Sequence, residues 1–277
     1  AILLGAIGHP KYDNDPAARV RPGQGSLKLR KSLGLFANVR PVSAYPSLQH
    51  LSPLKNKQLQ GMDLVIFQEL TGGIYLGKRE VNEEGTSATD ECIYTREEIE
   101  RIARPAFQYA QRRRKKLTLV DKANMLETSK LWRKVVQELS AEFSNVSVEY
   151  MFVDNAVIQL VMNPKQFDVV LTENMFGDIL SNEASVIGGS PGLLPSASIG
   201  NHNALFEPIH GSCQQVAGKD IANPVGAILS AAMMLDHFNM KEEALLVRTA
   251  CEWTLAHGFV SRDIDPVNSY GTTTIGD

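Results

Sequence analysis

The chain has 277 residues, a formal charge of −3 from 28 basic and 31 acidic side chains, and 43% hydrophobic residues. These values are ordinary for a globular protein of one or two domains, and they exclude a disordered chain, a collagen and a coiled coil. The near-neutral charge argues against a nucleic-acid partner, and no apolar run approaches the roughly 18 residues that a membrane span requires. The three cysteines lie far apart with no CxxC pair, which favours a reduced, cytoplasmic protein.

Short β-branched runs alternate with longer helical patterns along the chain. The predicted strands are Ile2–Ile7, Ala37–Val42, Asp63–Gln68, Lys116–Asp121, Val146–Val153 and Asp168–Thr172. The predicted helices are Ser26–Leu33, Arg96–Arg114, Ser129–Phe143, Ala156–Met162, Phe176–Val186, Pro224–Phe238 and Lys241–His257. This alternation predicts an α/β fold with some parallel sheet, and Ile2–Ile7 is expected to be buried. No GxGxxG sequence follows a strand, so a Rossmann fold is not expected.

The segment Arg96–Arg114 shows the helical period most clearly. Its apolar residues recur every three or four positions, so they share one face of the helix. They are Ile99, Ile102, Ala103, Ala106, Phe107 and Ala110. Thr95 and Glu98 match a capping box, and the basic run 112–116 suits the negative end of the helix dipole. A nucleic-acid-binding patch is the other interpretation of that run.

Arg30 on a predicted helix and Arg40 near the end of a predicted strand are candidate ligands for carboxylates, which their planar forks match. On spacing alone, two independent surface arginines remain the simpler interpretation. The Gly72-Gly73 pair follows a strand and directs Tyr75 towards a ligand, although an ordinary turn explains it equally well. Lys122 ends a buried strand, where α/β proteins bind ligands, so it is a candidate general base or a lysine that reaches solvent.

Oxygen ligands for a divalent cation occur on two predicted helices. Asp178 and Asn182 are four residues apart and therefore face the same way, and Asp154 precedes another helix. Such oxygens suit Mg²⁺ or Mn²⁺. Helix capping by Asp154 and a solvated face for the other two are the alternatives. A polar loop between helices, 207–224, is a candidate for wrapping an adenosine, which its spacing alone does not establish.

Several stretches carry a resemblance to one family, whose order they follow nearly end to end. They are LRKSLGLFANVRP, ELTGGIY, VDKANMLETSKLWR, FVDNA, TENMFGDILSNE, GLLPSAS, EPIHGS and AGKDIANP. The chain resembles the isocitrate/isopropylmalate dehydrogenase family of β-decarboxylating dehydrogenases, and most closely its isopropylmalate branch. The resemblance implies a two-domain, mixed-sheet α/β fold. We expect residues 1–36 and 190–277 to form a first, cofactor-side domain, which lacks a strand and loop before Ala1 and a helix after Asp277. Residues 37–189 are expected to form a second domain for dimerisation, metal and substrate.

The implied activity is the NAD-dependent oxidation of 3-isopropylmalate with loss of its β-carboxylate, a step of leucine biosynthesis. The resemblance also implies Mg²⁺ or Mn²⁺ as cofactor and a homodimer with shared active sites. The expected catalytic residues are Tyr75, Lys122 and Asp154, the substrate ligands are Arg30, Arg40, Gln68 and Leu27, and the metal ligands are Asp154, Asp178 and Asn182. The expected cofactor ligands are His210, Gly211, Ser212, Gln215, Val216, Ala217, Asn223 and Asn124.

Five positions depart from the family pattern. Gln68 replaces an arginine, Asn182 and Gln215 each replace an aspartate, Gly23 replaces a glutamate, and Ser26 replaces a leucine of the substrate pocket. Two alternatives therefore stay open: a related dehydrogenase for a more polar malate, and a catalytically weak or inactive regulatory homologue. The lysine–tyrosine pair of NADP-using relatives is absent, which favours NAD.

Overall fold

The computed structural model describes residues 1–9, 11 and 22–277. Its strands are β1 (Ile2–Leu3), β2 (Leu35–Ser43), β3 (Asp63–Glu69), β4 (Arg79–Val81), β5 (Ala88–Asp90), β6 (Lys116–Asp121), β7 (Ser147–Phe152), β8 (Val169–Thr172), β9 (Pro195–Gly200) and β10 (Ala204–Pro208). Its helices are α1 (Pro22–Ser32), α2 (Asn56–Leu59), α3 (Arg96–Gln111), α4 (Glu127–Ser140), α5 (Val153–Met162), α6 (Asn174–Ile187), α7 (Val225–His237), α8 (Lys241–Ala256) and α9 (Thr272–Gly276).

Eight strands form one mixed sheet in the order β1–β10–β9–β2–β3–β8–β6–β7, and β4 pairs with β5 in a separate hairpin. The strands β3, β8, β6 and β7 are parallel to one another, whereas β2 is antiparallel to both β3 and β9. Because parallel strands have their carboxyl ends on the same side of a sheet, the segments that follow these four strands lie along that one side, called the carboxyl edge. The predicted α/β class with a mixed sheet is confirmed.

The central strand β3 explains how the two faces of the sheet are covered. Its side chains alternate, with Val65 and Phe67 packing under α3 and α4, and Leu64 and Ile66 packing under α5 and α6. Burial on both faces accounts for the continuous apolar run that predicted this strand. A third apolar cluster joins α7, α8 and α9.

The predicted apolar face of α3 is confirmed, since all six of its residues are fully buried. The capping box is also present: the Thr95 amide donates to the Glu98 carboxylate over 2.8 Å, and the Glu98 amide donates to Thr95 Oγ1 over 3.2 Å. In the basic run, Arg113 Nε and the Arg114 amide donate to Asp168, whose side chain is buried, over 2.7 and 2.9 Å. These arginines thus neutralise a carboxylate at the start of β8.

Two predictions about local structure are wrong. The first is the buried strand at Ile2–Ile7: only Ile2 and Leu3 form a strand, and they are 37% and 49% exposed because β1 lies at the sheet edge and pairs with β10. The second concerns 207–224, which is predicted to be a polar loop between helices: the buried strands β9 and β10, which are not among the predicted strands, precede it, and Glu207 and Pro208 belong to β10. The loop therefore begins after Pro208 and follows a strand. The serine- and proline-rich β9 carries no alternating hydrophobic signal.

Strand β2 straddles the predicted domain boundary. It pairs with β9 on one side and with β3 on the other, so a single sheet continues through both predicted regions. Of the described helices, none combines the length and apolarity required to cross a bilayer. The three cysteines are free thiols.

Candidate active site

Strand pairing brings three polar side chains onto one face of the sheet. Asn38 of β2 lies opposite Gln68 of β3, and Arg40 is two residues further along β2, so all three face α6. Arg40 Nη2 donates to Asp178 Oδ1 on α6 over 3.2 Å, and its other nitrogens donate to Asn38 Oδ1 and Ser181 Oγ. Burial lowers the pKa of the Arg40 guanidinium, and the Asp178 carboxylate opposes this shift.

Gln68 holds the same carboxylate as Arg40 does. Its Nε2 donates to Asp178 Oδ1 over 3.0 Å and to Asn174 Oδ1 over 3.0 Å, and its side chain is almost fully buried. Gly177 permits this close approach, because a Cβ at that position would lie 2.5 Å from Gln68 Cγ. Arg40, Gln68, Asp178 and the adjacent Tyr75 are called the Asp178 cluster below.

Tyr75 reaches the Asp178 cluster from the turn after β3. The carboxylate of Glu69 accepts hydrogen bonds from the Thr71 and Gly72 amides over 2.7–2.9 Å and so closes this turn. Gly73 has φ of +76°, and a Cβ there would lie 2.3 Å from the Tyr94 hydroxyl. Burial and then the Asp178 charge raise the pKa of the Tyr75 phenol, so the phenol stays protonated at neutral pH.

Lys122 and Asp154 form a separate pair at the same sheet edge. Lys122 Nζ donates to Asp154 Oδ1 over 2.6 Å, and this ammonium lowers the pKa of the Asp154 carboxyl. The side chains are 27% and 64% exposed, respectively. Lys122 follows β6, which is two strands from β3, so the pair stands about 10–15 Å along the edge from Gln68 at ~4.8 Å per strand.

The predicted metal ligands are therefore divided between two places. Asp178 and Asn182 lie one turn apart on α6, while Asp154 is held by Lys122. The part of the chain that is described contains no group of three His, Cys, Asp or Glu residues that could hold a metal ion. The carboxylate and amide oxygens on α6 nevertheless fit a partial donor set for Mg²⁺ or Mn²⁺, which accepts few protein ligands and completes its shell with water and substrate.

A small cavity of about 170 Å³ lies beside Arg40. Its lining includes Gly23, Ser26 and Arg30 of α1, and Arg30 forms an ion pair with Glu207. Arg30 Nε is buried and has no hydrogen-bond partner among the described residues, so it remains available to an acceptor. Of the predicted substrate ligands, Arg30 and Arg40 thus meet at one cavity. Leu27, on the same helix, is outside its described lining.

A larger cavity of about 910 Å³ adjoins the small one, and the two share Ala6, His210 and Gly211. Six of the predicted cofactor ligands line it: His210, Gly211, Ser212, Val216, Ala217 and Asn223. The buried His210 Nε2 has no partner within the described part of the chain, as a group that awaits a ligand would. The size and loop lining fit part of a dinucleotide.

Two predicted cofactor ligands are placed elsewhere. Gln215 is exposed beside Cys213, whose Sγ donates to it over 3.2 Å, and it is outside the described lining of the larger cavity. Asn124 is exposed in the turn after β6, next to Lys122. Asn124 therefore accompanies the Lys122–Asp154 pair and does not approach the loop at 210–223 in the same chain.

Sequence reasoning missed four residues that hold the candidate ligands in place. Asn38 and Ser181 bind Arg40, Asn174 binds Gln68, and Glu207 binds Arg30. For the first three a local signal exists, because Asn38 is two residues before Arg40 on a strand, and Asn174 and Ser181 are within one turn of Asp178 on a helix. Glu207 pairs with Arg30 across 177 positions, and no local pattern indicates that contact.

Comparisons with known proteins identify the family and agree with the fold. The family model described as isocitrate/isopropylmalate dehydrogenase matches residues 1–277. A 3-isopropylmalate dehydrogenase from Bacteroides fragilis (strain YCH46) is 49% identical, over 100% of this chain and 78% of its own length, and one from Bacillus subtilis (strain 168) is 52% identical, over 99% and 76%. The crystal structure of isocitrate dehydrogenase from Methylococcus capsulatus superposes with a TM-score of 0.87 at 35% identity, covering 99% of this chain and 78% of that one. The chain belongs to the isocitrate/isopropylmalate dehydrogenase family.

Proposed function

We propose that the protein oxidises 3-isopropylmalate with NAD and decarboxylates the product to 2-oxoisocaproate, in the cytoplasm, as a step of leucine biosynthesis. One observation carries the proposal. The cavity between Arg30 and Arg40 adjoins the larger, loop-lined cavity on one side, and Arg40 itself binds Asp178 on the other. A carboxylate substrate, a nicotinamide and a divalent ion would thus meet at one point. The names of the relatives select the substrate.

Arg30 and Arg40 would hold the two carboxylates of the malate. Arg30 belongs to the proposed first domain (1–36 and 190–277) and Arg40 to the proposed second domain (37–189), so the substrate would bridge them. Substrate binding requires that Glu207 share or release the Arg30 guanidinium. Ser26, beside Arg30 in the cavity wall, would lie closest to the substituent on C3, and Leu27 is its neighbour on α1.

The loop 210–223 would bind the adenosine end of NAD in the larger cavity. His210 Nε2 and the backbone around Gly211 and Ser212 supply polar groups there, while Val216 and Ala217 supply an apolar wall. Since the two cavities adjoin at Ala6 and Gly211, the nicotinamide end would extend towards the substrate. When bound there, NAD would supply the acceptor for the hydride from C2.

Two side chains would move protons. The Lys122–Asp154 pair would take the proton of the C2 hydroxyl as the hydride leaves, with Lys122 accepting it in the neutral form after its ammonium has released a proton to solvent. The β-carboxylate would then leave as carbon dioxide, and the Tyr75 phenol, kept protonated by its raised pKa, would protonate C3. Asp178, Asn182 and Asp154 would hold a divalent ion, which, when bound, polarises the C2 oxygen and stabilises negative charge after decarboxylation.

We propose that the site is completed across a homodimer, because Lys122 and Asp154 stand apart from the Asp178 cluster within one chain. Large apolar side chains are exposed on α5 and α6, the helices that carry the metal-ligand candidates. They are Ile158, Val161, Met162, Ile179 and Val186. Helix faces of this kind are buried in oligomers. A second copy that packs against them would bring its own Lys122–Asp154 pair, with Asn124, to this chain's Asp178.

Mixing two inactive variants tests the shared site. Lys122→Met and Asp178→Asn each remove one half of it, and a hybrid dimer retains one intact site. Random reassociation after denaturation should therefore restore roughly a quarter of the wild-type rate, as expected for a two-fold symmetric dimer. Refolding either variant alone is the control. An active monomer, or mixtures that stay inactive, would contradict the shared site.

Substrate turnover tests the activity itself. Purified protein is assayed for NADH formation with 3-isopropylmalate, isocitrate and tartrate, with and without Mn²⁺. We expect turnover that depends on Mn²⁺ and is fastest with 3-isopropylmalate. If NAD binds but none of the three acids is oxidised, the proposed function is wrong.

A second candidate substrate class rests on Ser26, which lines the substrate cavity and offers a hydroxyl there. A malate with a hydroxyl or carboxylate on C3 would bind such a wall better than an isopropyl group does. Faster turnover of tartrate or isocitrate in the same assay would favour it. A Ser26→Leu variant should then shift the preference towards 3-isopropylmalate.

A further inference from the structure

One guanidinium contacts three other side chains near the Lys122–Asp154 pair. Arg133 on α4 donates from Nε to Asp121 Oδ2 and from Nη2 to Asp121 Oδ1, both over 2.9 Å. Its central carbon also lies 5.3 Å from the ring centre of Tyr150 and 5.2 Å from that of Phe152. The planar fork of the guanidinium binds the carboxylate, and its flat cationic face lies near the two aromatic rings.

The contact between Arg133 and Asp121 helps to fix the backbone on either side of Lys122. Asp121 is the last residue of β6, its side chain is 2% exposed, and its Oδ1 also accepts from the Ala123 amide over 2.9 Å. The Lys122 amide donates to Ser129 Oγ over 3.0 Å. Ser129 and Arg133 are four residues apart on α4, so one helix face fixes residues 121–123.

The ring contacts reach the other half of the pair. Tyr150 and Phe152 are on β7, and Phe152 precedes Asp154 by two residues. Strand register places Phe152 directly opposite Asp121. Arg133 therefore joins the ends of the two strands from which Lys122 and Asp154 project.

We propose that Arg133 is a positioning residue that keeps Lys122 Nζ and Asp154 Oδ1 in contact and aims the pair at the reacting hydroxyl. This inference rests on the proposed function, because the pair matters for turnover only if Lys122 accepts the hydroxyl proton. A lysine at 133 would keep the charge but would lose both the fork and the stacking face.

Three variants isolate this role. Arg133→Met keeps most of the aliphatic stem, and Arg133→Lys keeps the charge and retains more of the native packing. Arg104→Met is the matched control, since Arg104 on α3 makes an equally forked but exposed contact, over 2.7 and 3.0 Å, with Glu142 just after α4. We expect kcat to fall about 10- to 100-fold in Arg133→Met and less in Arg133→Lys, as for residues that support a ligand shell. The KM for NAD should not change in any of them.

A double-mutant cycle distinguishes positioning from general stabilisation. If Arg133 acts through Lys122, Arg133→Met should lower kcat by less than about twofold in a Lys122→Met background, because the group it positions is already gone. An equal loss in both backgrounds would overturn the inference. So would wild-type kcat in Arg133→Met alongside a large loss in Lys122→Met.

A measurement without turnover separates this inference from the proposed function. Hydrogen exchange at the Ala123 amide should be at least about tenfold faster in Arg133→Met, and in Arg133→Lys to a smaller extent, because its acceptor, Asp121 Oδ1, is no longer fixed by the guanidinium. Arg104→Met should leave it unchanged. If the wild type forms no NADH, the proposed function fails while exchange still decides the role of Arg133. Unchanged exchange in both Arg133 variants overturns that role.

Discussion

The two halves of the candidate site are built differently, although they share one edge of one sheet. In the Asp178 cluster, Arg40 and Gln68 are buried and donate to the same carboxylate oxygen. In the other half, the side chains of Lys122 and Asp154 form an ion pair with each other, and the Asp154 side chain is mostly exposed. The first half is organised within one chain, whereas the second presents its charges outward, as a half-site offered to another molecule would.

Because of this difference, substitutions in the two halves should affect different properties, stability in one and turnover in the other. Removing one member of a buried hydrogen-bonded network leaves further unpaired groups away from water, which is costly. Removing one member of an exposed ion pair changes the stability by about 0–1 kcal/mol. Variants in the Asp178 cluster should therefore destabilise the protein, and variants of the Lys122–Asp154 pair should act almost entirely on turnover.

The largest expected effect is on turnover, in Lys122→Met. Loss of a positioned general base should lower kcat by about 10²- to 10⁴-fold. The free energy of unfolding from urea titrations should stay within about 1 kcal/mol of the wild type. Lys130→Met is the control, because Lys130 forms a comparable exposed pair with Glu127 on the neighbouring helix. Its kcat should equal that of the wild type. A Lys122→Met protein that is fully active would remove the pair from the site.

The next largest effect is on stability, in Arg40→Met. Its loss leaves Asn38 Oδ1 and Ser181 Oγ without their donor and Asp178 with a weaker counter-charge, at a cost of about 2–4 kcal/mol in unfolding free energy. Urea titration measures it. Arg96→Met, which breaks an exposed pair of contacts to Glu100 and Glu138, should cost less than about 1 kcal/mol. Equal unfolding free energies for the two variants would show that the buried network stabilises the protein no more than an exposed ion pair does.

The same contrast shows which parts of the fold could be predicted. Strands β3, β6 and β8 were visible in the sequence because burial on both faces requires unbroken β-branched and apolar runs. Strand β9 was missed because its Pro-Ser-Ala-Ser composition packs small side chains into the sheet and uses Ser196 and Ser198 for hydrogen bonds. Tertiary contacts outweigh intrinsic propensity at such positions.

The individual residues of the candidate site were predicted, but their separation into the Asp178 cluster and the Lys122–Asp154 pair was not. The helical spacing of Asp178 and Asn182 places them on one face from sequence alone. Whether Asp154 joins them depends on the strand order β3–β8–β6–β7, which inserts two strands between β3 and β7. Strand order is a long-range property that no local pattern encodes. The contact between Arg133 and β7 was missed for the same reason.

A third, smaller effect is the pH dependence of stability that arises from Glu173, near the Asp178 cluster. Its side chain is 5% exposed, Oε2 has no partner among the described residues, and burial together with the charge of Glu69 raises its pKa from 4.5 to about 7. The folded state then binds more protons than the unfolded state between pH 4.5 and 7. Stability from this group consequently falls as the pH rises through that window.

Glu173→Gln removes that proton linkage. Above pH 7 the variant should be more stable than the wild type by on the order of 1–3 kcal/mol, while near pH 4.5 the two should be similar. Urea midpoints at both ends of the window measure this. Glu127→Gln, at an exposed position, is the control and should show no pH-dependent gain. A Glu173→Gln protein that is less stable than the wild type at high pH would show that the ionised carboxylate is stabilised in the fold.

The smallest effect tests the boundary between the two halves, at Asn182. This side chain is exposed, one turn beyond Asp178, and an aspartate there would add a negative charge to the metal-facing side of α6 without disturbing the buried network. Asn182→Asp should bind Mn²⁺ about tenfold more tightly, since affinity for hard cations rises with the number of charged oxygen ligands. Its stability without metal should change by less than about 0.5 kcal/mol. Calorimetric titration with Mn²⁺ measures the affinity, and Asn56→Asp, at an exposed position on α2, is the matched control. If both variants gain equally, the added charge attracts the ion only through the general field. A gain confined to Asn182→Asp means that α6 presents the metal.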